Sequence, residues 1–313
     1  MNKLLRIKPG VLLLLGLSIF LFLPSVSRAE EEEDQPVYTE NEWNFVDQSM
    51  DISEGIPEDA AGRLLAIKKT GKLTVATEPY FAPQEFIDPS LSGQDSYVGA
   101  DMEMARLIAE RMGVELEIVP LEFTQVLSSV GDGKYDLAIS GLAYTPGRTS
   151  TLELSKGYHF SEDEDTDGLL IREDELNIIR GIDDLKRKNI VAQSGSLQES
   201  LASDNIFYYR QFRRVSSMQE IYHLLEDGYA DAAIVNIENA MVYMESNPDC
   251  GLALVPDIHF PMQEEFKGDR VAAPKGEIQL ICFVNGVIDE LLESGQYESW
   301  FTEYSRRASD LGL

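Results

Sequence analysis

Three side chains sit where a strand pattern gives way to a turn, and each could hold a charged solute. Arg148 follows Tyr144-Thr145-Pro146-Gly147, just past an apolar strand pattern. Its guanidinium is a planar fork of donors suited to a carboxylate. Ser196 closes Gln193-Ser194-Gly195-Ser196 and precedes a helical pattern. The first amides of a helix form an anion site, although serine is also an ordinary helix cap there. Glu78 follows a strand pattern over 73–77. A carboxylate in that place faces either solvent or a cationic or amide-bearing group. No catalytic or zinc-binding set accompanies them. His159, His223 and His259 are scattered, and Cys250 and Cys282 are widely spaced, so no nucleophile–base pair or zinc pattern forms.

One tempting metal signal is present. Asp163-Glu164-Asp165-Thr166-Asp167-Gly168 matches the start of a calcium loop, with Leu170 and Asp174 at its later positions. The strand pattern over 168–172 argues against it. An extended run at about 3.3 Å per residue carries Asp174 roughly 20 Å from Asp163, too far to wrap an ion. An acidic solvated insertion is the expectation, with no metal and no cofactor.

The elements that must position these residues alternate. A short helix around Leu64, Leu65 and Ile67 stops at Gly71, and a strand follows over 73–77. Asp101 is read as the cap of a helix carrying Met104, Ala105, Ile108 and Met112. Strands are expected at 116–120 and 135–140, with a helix over 123–130 between them. The alternation restarts with strands at 168–172, 189–192, 230–235 and 252–255 and helices at 198–202, 219–225 and 239–244. Helix fills 279–304, broken at Ser294-Gly295. Strand and helix in turn argue a parallel sheet covered by helices.

Several segments in this order resemble the family 3 extracellular solute-binding proteins, the amino-acid-binding proteins of ABC transporters. They are Gly71-Lys72-Leu73-Thr74-Val75-Ala76-Thr77, Tyr97-Val98-Gly99-Ala100-Asp101, Tyr135-Asp136-Leu137-Ala138, the stretch 141–148, the stretch 191–196 and Gly228-Tyr229-Ala230-Asp231-Ala232. Pro274-Lys275-Gly276 and Asn285-Gly286 also fit, so the resemblance runs from about 64 to 304. It implies an α/β fold of the type II periplasmic-binding class: two lobes, each a mostly parallel sheet flanked by helices, joined by two crossing strands near 158–162 and 255–260. The first lobe would take 58–160 and 258–313, the second 161–257.

The resemblance also implies roles. Arg148 would grip a ligand carboxylate, with the turn from Gln193 to Ser196 as the second-lobe clamp. Phe81 and Phe123 would sandwich the ligand side chain, although an isolated Phe usually means core packing. Glu78 would face that side chain. Two positions depart from the pattern. Asn236 stands where the family usually has an aspartate for the ligand ammonium, and Ala143 where serine or threonine is preferred. Asn236 and the Gly141 carbonyl remain as acceptors, so the ligand is an amino acid or a carboxylate lacking the ammonium. Capture and delivery to an ABC permease is the expected function. The alternatives are a cleft enzyme of the cyclohexadienyl dehydratase type, with Glu78 as general acid, and a ligand-sensing adaptor.

Composition sets the surroundings. Residues 1–29 read as a secretory signal: Lys3, Arg6 and Lys8, an apolar run over 11–23, then Ser27-Arg28-Ala29. An uncleaved anchor is the competing reading. The acidic segment 30–57 reads as a flexible tether onto which Trp43 and Phe45 could dock. The net charge is −29, or −33 without the four basic residues of the signal segment. Such a surface repels nucleic acid and anionic lipid. A monomeric protein of the periplasm or outer cell surface is expected. There Cys250 and Cys282 could pair or stay free.

Overall fold

The computed structural model describes residues 38–161 and 166–313. The apolar segment 1–29, residues 30–37 of the acidic extension and residues 162–165 of the acidic run lie outside the described residues.

Helix α1 (Gly62–Thr70) buries Leu64 and Ile67 and leads into β1 (Lys72–Thr77). Three short strands, β2 (Tyr80–Phe81), β3 (Glu85–Ile87) and β4 (Tyr97–Val98), form a small antiparallel flap. Helix α2 (Ala100–Met112) turns Met104, Ala105, Ile108 and Met112 inward. Then come β5 (Glu115–Pro120), α3 (Phe123–Gly131), β6 (Leu137–Leu142) and β7 (Leu152–Leu154). The chain next crosses to a second sheet. It holds β8 (Asp167–Arg172), β9 (Asn189–Gln193), α4 (Leu197–Asn205), β10 (Gln211–Val215), α5 (Met218–Glu226), β11 (Ala232–Asn236), α6 (Ile237–Ser246) and β12 (Leu252–Phe260). It returns as β13 (Arg270–Pro274) and ends in α7 (Ile278–Ser294) and α8 (Gln296–Leu311).

The first lobe's sheet has the order β5-β1-β6-β13-β7, the second lobe's β10-β9-β11-β8-β12. Neither sheet is mostly parallel, as the alternation had suggested. In each, the two pairings on one side are parallel and the two on the other antiparallel. The cause is the crossing. The strands that follow one, β8 and β13, each enter between two neighbours that run the other way. Where the chain passes between lobes, the Tyr158 N–H donates to the Asp269 carbonyl (2.9 Å) and the Asp269 N–H to that of His159 (3.0 Å). The two crossings therefore run side by side.

Two expectations are corrected here. Asp101 does not cap α2; Gly99 stands at the cap. Asp101 is fully buried in the first turn and accepts the hydroxyls of Tyr158 and Tyr297 and the N–H of Gly141. Residues 38–57 are not a loose tether. Phe45, Val46, Met50 and Ile56 are buried in the first lobe. The Val46 N–H donates to the Leu154 carbonyl and the Met50 N–H to that of Cys282, both at 2.8 Å. The Asn285 amide donates to the carbonyls of Val46 and Gln48. Gly286 makes the close approach possible, because a Cβ there would collide with the Met50 carbonyl oxygen. Trp43 sits edge-on to Phe266. Both cysteines are free thiols, Cys250 ahead of β12 and Cys282 buried in α7.

The strap is thus part of the fold. A chain beginning at residue 58 should be less stable than one beginning at 38. Burying each of these apolar side chains contributes about 1.5–3 kcal/mol, so the expected loss is several kcal/mol in urea unfolding. Equal stability of the two chains would show that the strap is dispensable.

Candidate functional site

Glu78, Phe81, Phe123, Gly141, Ala143, Arg148, Gln193, Ser196 and Asn236 line one cleft between the two sheets. Most come from the carboxyl ends of β1, β6, β9 and β11 or the turns just after them, where open α/β sheets leave groups free for a ligand. Gly141 has φ +51, and a Cβ added to it would lie 2.6 Å from the Phe81 ring. The missing side chain lets that ring lie against the backbone of β6.

Arg148 lies in a tight turn after β6, 7% exposed. Its fork donates to the Ala143 carbonyl in its own lobe and, at 3.1 Å, to the Gly195 carbonyl in the other. The guanidinium stands over the Phe123 ring, 5.5 Å from its centre. Burial pushes its pKa down to about 10, which leaves it charged at neutral pH. Among the described residues no carboxylate lies within ion-pair distance of it. Phe123 also belongs to the first lobe's core, so it serves packing and cleft together.

Ser196 caps α4, its hydroxyl accepting the Glu199 N–H at 3.0 Å. The Glu199 carboxylate accepts the Gly195 N–H in return, which fixes the turn. Leu197 and Gln198, the first two residues of the helix, line the cleft, and the first amides of a helix have no partner within it. Asn236 is likewise a cap, accepting the Asn239 N–H at 3.1 Å.

The first lobe also brings two buried carboxyls to the cleft. Glu78 is 2% exposed, and burial raises its pKa to about 8, against a hydrogen bond from the Gln193 side chain that lowers it. Glu85 is fully buried beside it. Burial, then the negative charge of Asp101, holds its carboxyl well above the usual range, while the Ser140 hydroxyl donates to it at 2.8 Å. One oxygen of each carboxyl is buried without a hydrogen-bond partner among the described residues. Glu85 and Ser140 escaped the sequence reading because nothing in their spacing sets them apart; the reversal from β2 to β3 brings Glu85 back under Glu78.

Toward the crossings the cleft continues past Asn236 to Asp167, His159, Glu238 and Asp269. The calcium-like run ends here in an extended strand, β8, which begins at Asp167; Asp163, Glu164 and Asp165 lie outside the described residues. His159 Nδ1 is 3.0 Å from Glu298 of the first lobe, and Nε2 is 3.2 Å from Glu238 of the second. Burial disfavours its charge, but the two carboxylates outweigh burial and raise its pKa to about 10. Desolvation raises Asp269 to about 7.

The family model of bacterial extracellular solute-binding proteins, family 3, matches residues 73–306. The arginine-binding extracellular protein ArtP of Bacillus subtilis (strain 168) is 27% identical over 239 residues, 74% of this chain and 86% of its own length. The L-cystine-binding protein TcyJ of Escherichia coli (strain K12) is 27% identical over 247 residues, 77% of this chain and 86% of its own. The structure is similar to that of the amino acid ABC transporter substrate-binding protein AbpA from Streptococcus pneumoniae bound to L-arginine. Their TM-score is 0.69 at 33% identity, over 78% of this chain and 98% of that one. The architecture is that of the type II periplasmic-binding proteins.

His159 ties the lobes through charge, and its raised pKa gives the sign of a pH effect. Its contribution is full below the unfolded value near 6.5 and is lost as pH rises through about 10. Unfolding of the wild type and His159→Gln across pH 6 to 10 should show a gap of a few kcal/mol at pH 6 that closes toward pH 10. A gap independent of pH would contradict the assigned ion pairs.

Proposed function

We propose that this chain, which belongs to family 3 of the bacterial extracellular solute-binding proteins, captures an amino acid with a cationic side chain and hands it to an ABC importer. The observation that carries this reading is the set of buried polar groups left unmatched along the cleft. Arg148 is a buried guanidinium with no carboxylate of its own among the described residues. Glu78 and Glu85 each keep a buried oxygen without a hydrogen-bond partner among the described residues. Such groups are costly to bury alone and favourable to bury in pairs.

A ligand with a carboxylate at one end and a cation at the other meets both needs. Its carboxylate takes the remaining donors of Arg148 and the amides of Leu197 and Gln198 at the start of α4. Its side chain runs along Phe81 to Glu78, whose proton leaves when the cation arrives. Arg148 of the first lobe already reaches Gly195 of the second, so the carboxylate site is completed only when the lobes close. Closure gives a shape that a permease can distinguish from the open form. Similarity to a protein named for arginine and to a structure bound to L-arginine supports the ligand class. Family members act outside the cytoplasm, and among the described residues no helix is long and apolar enough to cross a membrane. An exported monomer with a permease as partner is the setting of this reading.

A second reading draws on Glu78 itself. A carboxyl held protonated near neutral pH has the form of a general acid. Turnover of a cyclohexadienyl acid, lost in Glu78→Gln, would favour it over capture.

Calorimetric titration with L-arginine, L-lysine, L-ornithine, L-histidine and L-cystine tests the first reading. Binding of at least one cationic amino acid is expected. Arg148→Ala should weaken it about 100-fold or more, the cost of leaving a desolvated charge unpaired. Because Glu78 is raised to about 8, binding at pH 6.5 should release a proton, and affinity should rise with pH up to about 8. Titrations in buffers of different ionisation enthalpy read that proton, which Glu78→Gln should abolish. Binding without proton release, unchanged in Glu78→Gln, would remove the cation from Glu78.

A further inference from the structure

A bound α-amino acid brings an ammonium as well as a carboxylate, and the cleft must hold that ammonium near Arg148 and the start of α4. The acceptors nearest to hand are poor. Asn236 is neutral, and its side-chain oxygen already accepts the Asn239 N–H as the cap of α6. The Ala143 carbonyl is taken by Arg148. The Gly141 carbonyl is neutral as well.

We propose that Asp167 is the anionic acceptor of the ligand's α-ammonium, a specificity residue one strand away from Asn236. The proposal rests on the amino-acid reading given above. Its geometry comes from the sheet. Strands β8 and β11 pair antiparallel with Asp167 directly opposite Asn236. Directly opposite residues present their side chains on the same face, their Cα atoms about 4.5–5.5 Å apart. Asp167 therefore looks into the same cleft that Asn236 borders, and the two line it together with Gly141 and Ala143 of the first lobe.

The surroundings of Asp167 are those of a carboxylate waiting for a cation. It is 2% exposed. Its hydrogen bonds come from neutral donors, the Gln198 side-chain amide at 2.7 Å and the Thr166 hydroxyl at 3.1 Å. Among the described residues no lysine, arginine or histidine lies within ion-pair distance of it. Burial raises its pKa to about 6, so it is mostly ionised at neutral pH with no counter-charge of its own. A buried carboxylate in that condition is stabilised by any cation that reaches it. Gln198 supplies the link to the other half of the ligand. Its side chain holds Asp167, and its backbone amide belongs to the first turn of α4. Carboxylate and ammonium of one Cα would thus meet neighbouring groups of the same turn.

The site also explains how Asn236 and an α-ammonium are compatible. The charge at this end of the cleft does not have to sit at the tip of β11; the register carries it across to β8.

Calorimetry with two probes separates the ammonium from everything else: L-arginine and its des-amino counterpart 5-guanidinopentanoate. Wild type should prefer L-arginine. Asp167→Asn should weaken L-arginine about 100-fold and change 5-guanidinopentanoate less than about threefold. The double variant Asp167→Asn with Asn236→Asp, which moves the carboxylate across the strand pair, should recover L-arginine to within about tenfold of wild type. It also guards against a single variant that folds poorly. Equal losses for both probes in Asp167→Asn, or none, would overturn the assignment while leaving capture intact. A wild type that binds neither probe nor any other amino acid would overturn the capture reading, and this assignment with it.

Discussion

The cleft hangs on one buried carboxylate. Asp101 receives a hydroxyl from the first crossing (Tyr158), a hydroxyl from the last helix (Tyr297) and the N–H of Gly141 at the mouth of the site. Burying a carboxylate is costly, and three good donors offset that cost. The consequence is mechanical. The start of α2, the end of β6, the crossing and α8 cannot shift separately, because each would strand a buried donor. The negative charge at Asp101 then adds to burial in raising the pKa of its neighbour Glu85.

Around this fixed point the cleft is arranged as a set of unmet needs. Arg148, Glu78 and Asp167 are each nearly dry, and among the described residues each lacks a partner of opposite charge. In water such groups would be satisfied; here desolvation pushes Arg148 down and both acids up. His159 is the contrast. It has two carboxylates, one from each lobe, and its charge is met within the protein. Closure is supported at the crossings by an internal ion pair, and the binding region is left for a solute to complete.

Much of this was legible in the sequence where the signal is local. Arg148 and Ser196 follow strand patterns and sit in turns of recognisable chemistry, and Glu78 and Phe81 stand just beyond a strand end. The structure brings these into one cleft. What escaped depends on partners distant along the chain. Asp167 gains its meaning from lying opposite Asn236, a matter of register between strands some seventy residues apart in sequence, and Glu85 from a reversal through two-residue strands. The strap was misread for a related reason. Phe45 was read as a possible docking residue, but the acidic composition hid Val46, Met50 and Ile56, which follow no helical or strand period. Strand β10 was invisible because Gln211, Arg213 and Arg214 on an exposed edge leave no apolar alternation.

The strap and β13 have a consequence for how the chain reaches this structure. The second lobe's sheet is drawn from one continuous stretch, residues 167–260, and can assemble once that stretch is available. The first lobe cannot. Its sheet is open between β6 and β7 until β13 arrives, and the strap finds its seat only when Asn285 does, 239 residues after Val46. Contacts of such long range are slow to form and set the pace of folding. The lobe that begins the chain is therefore the one completed last, and its earliest residues must wait, unpacked, for the latest.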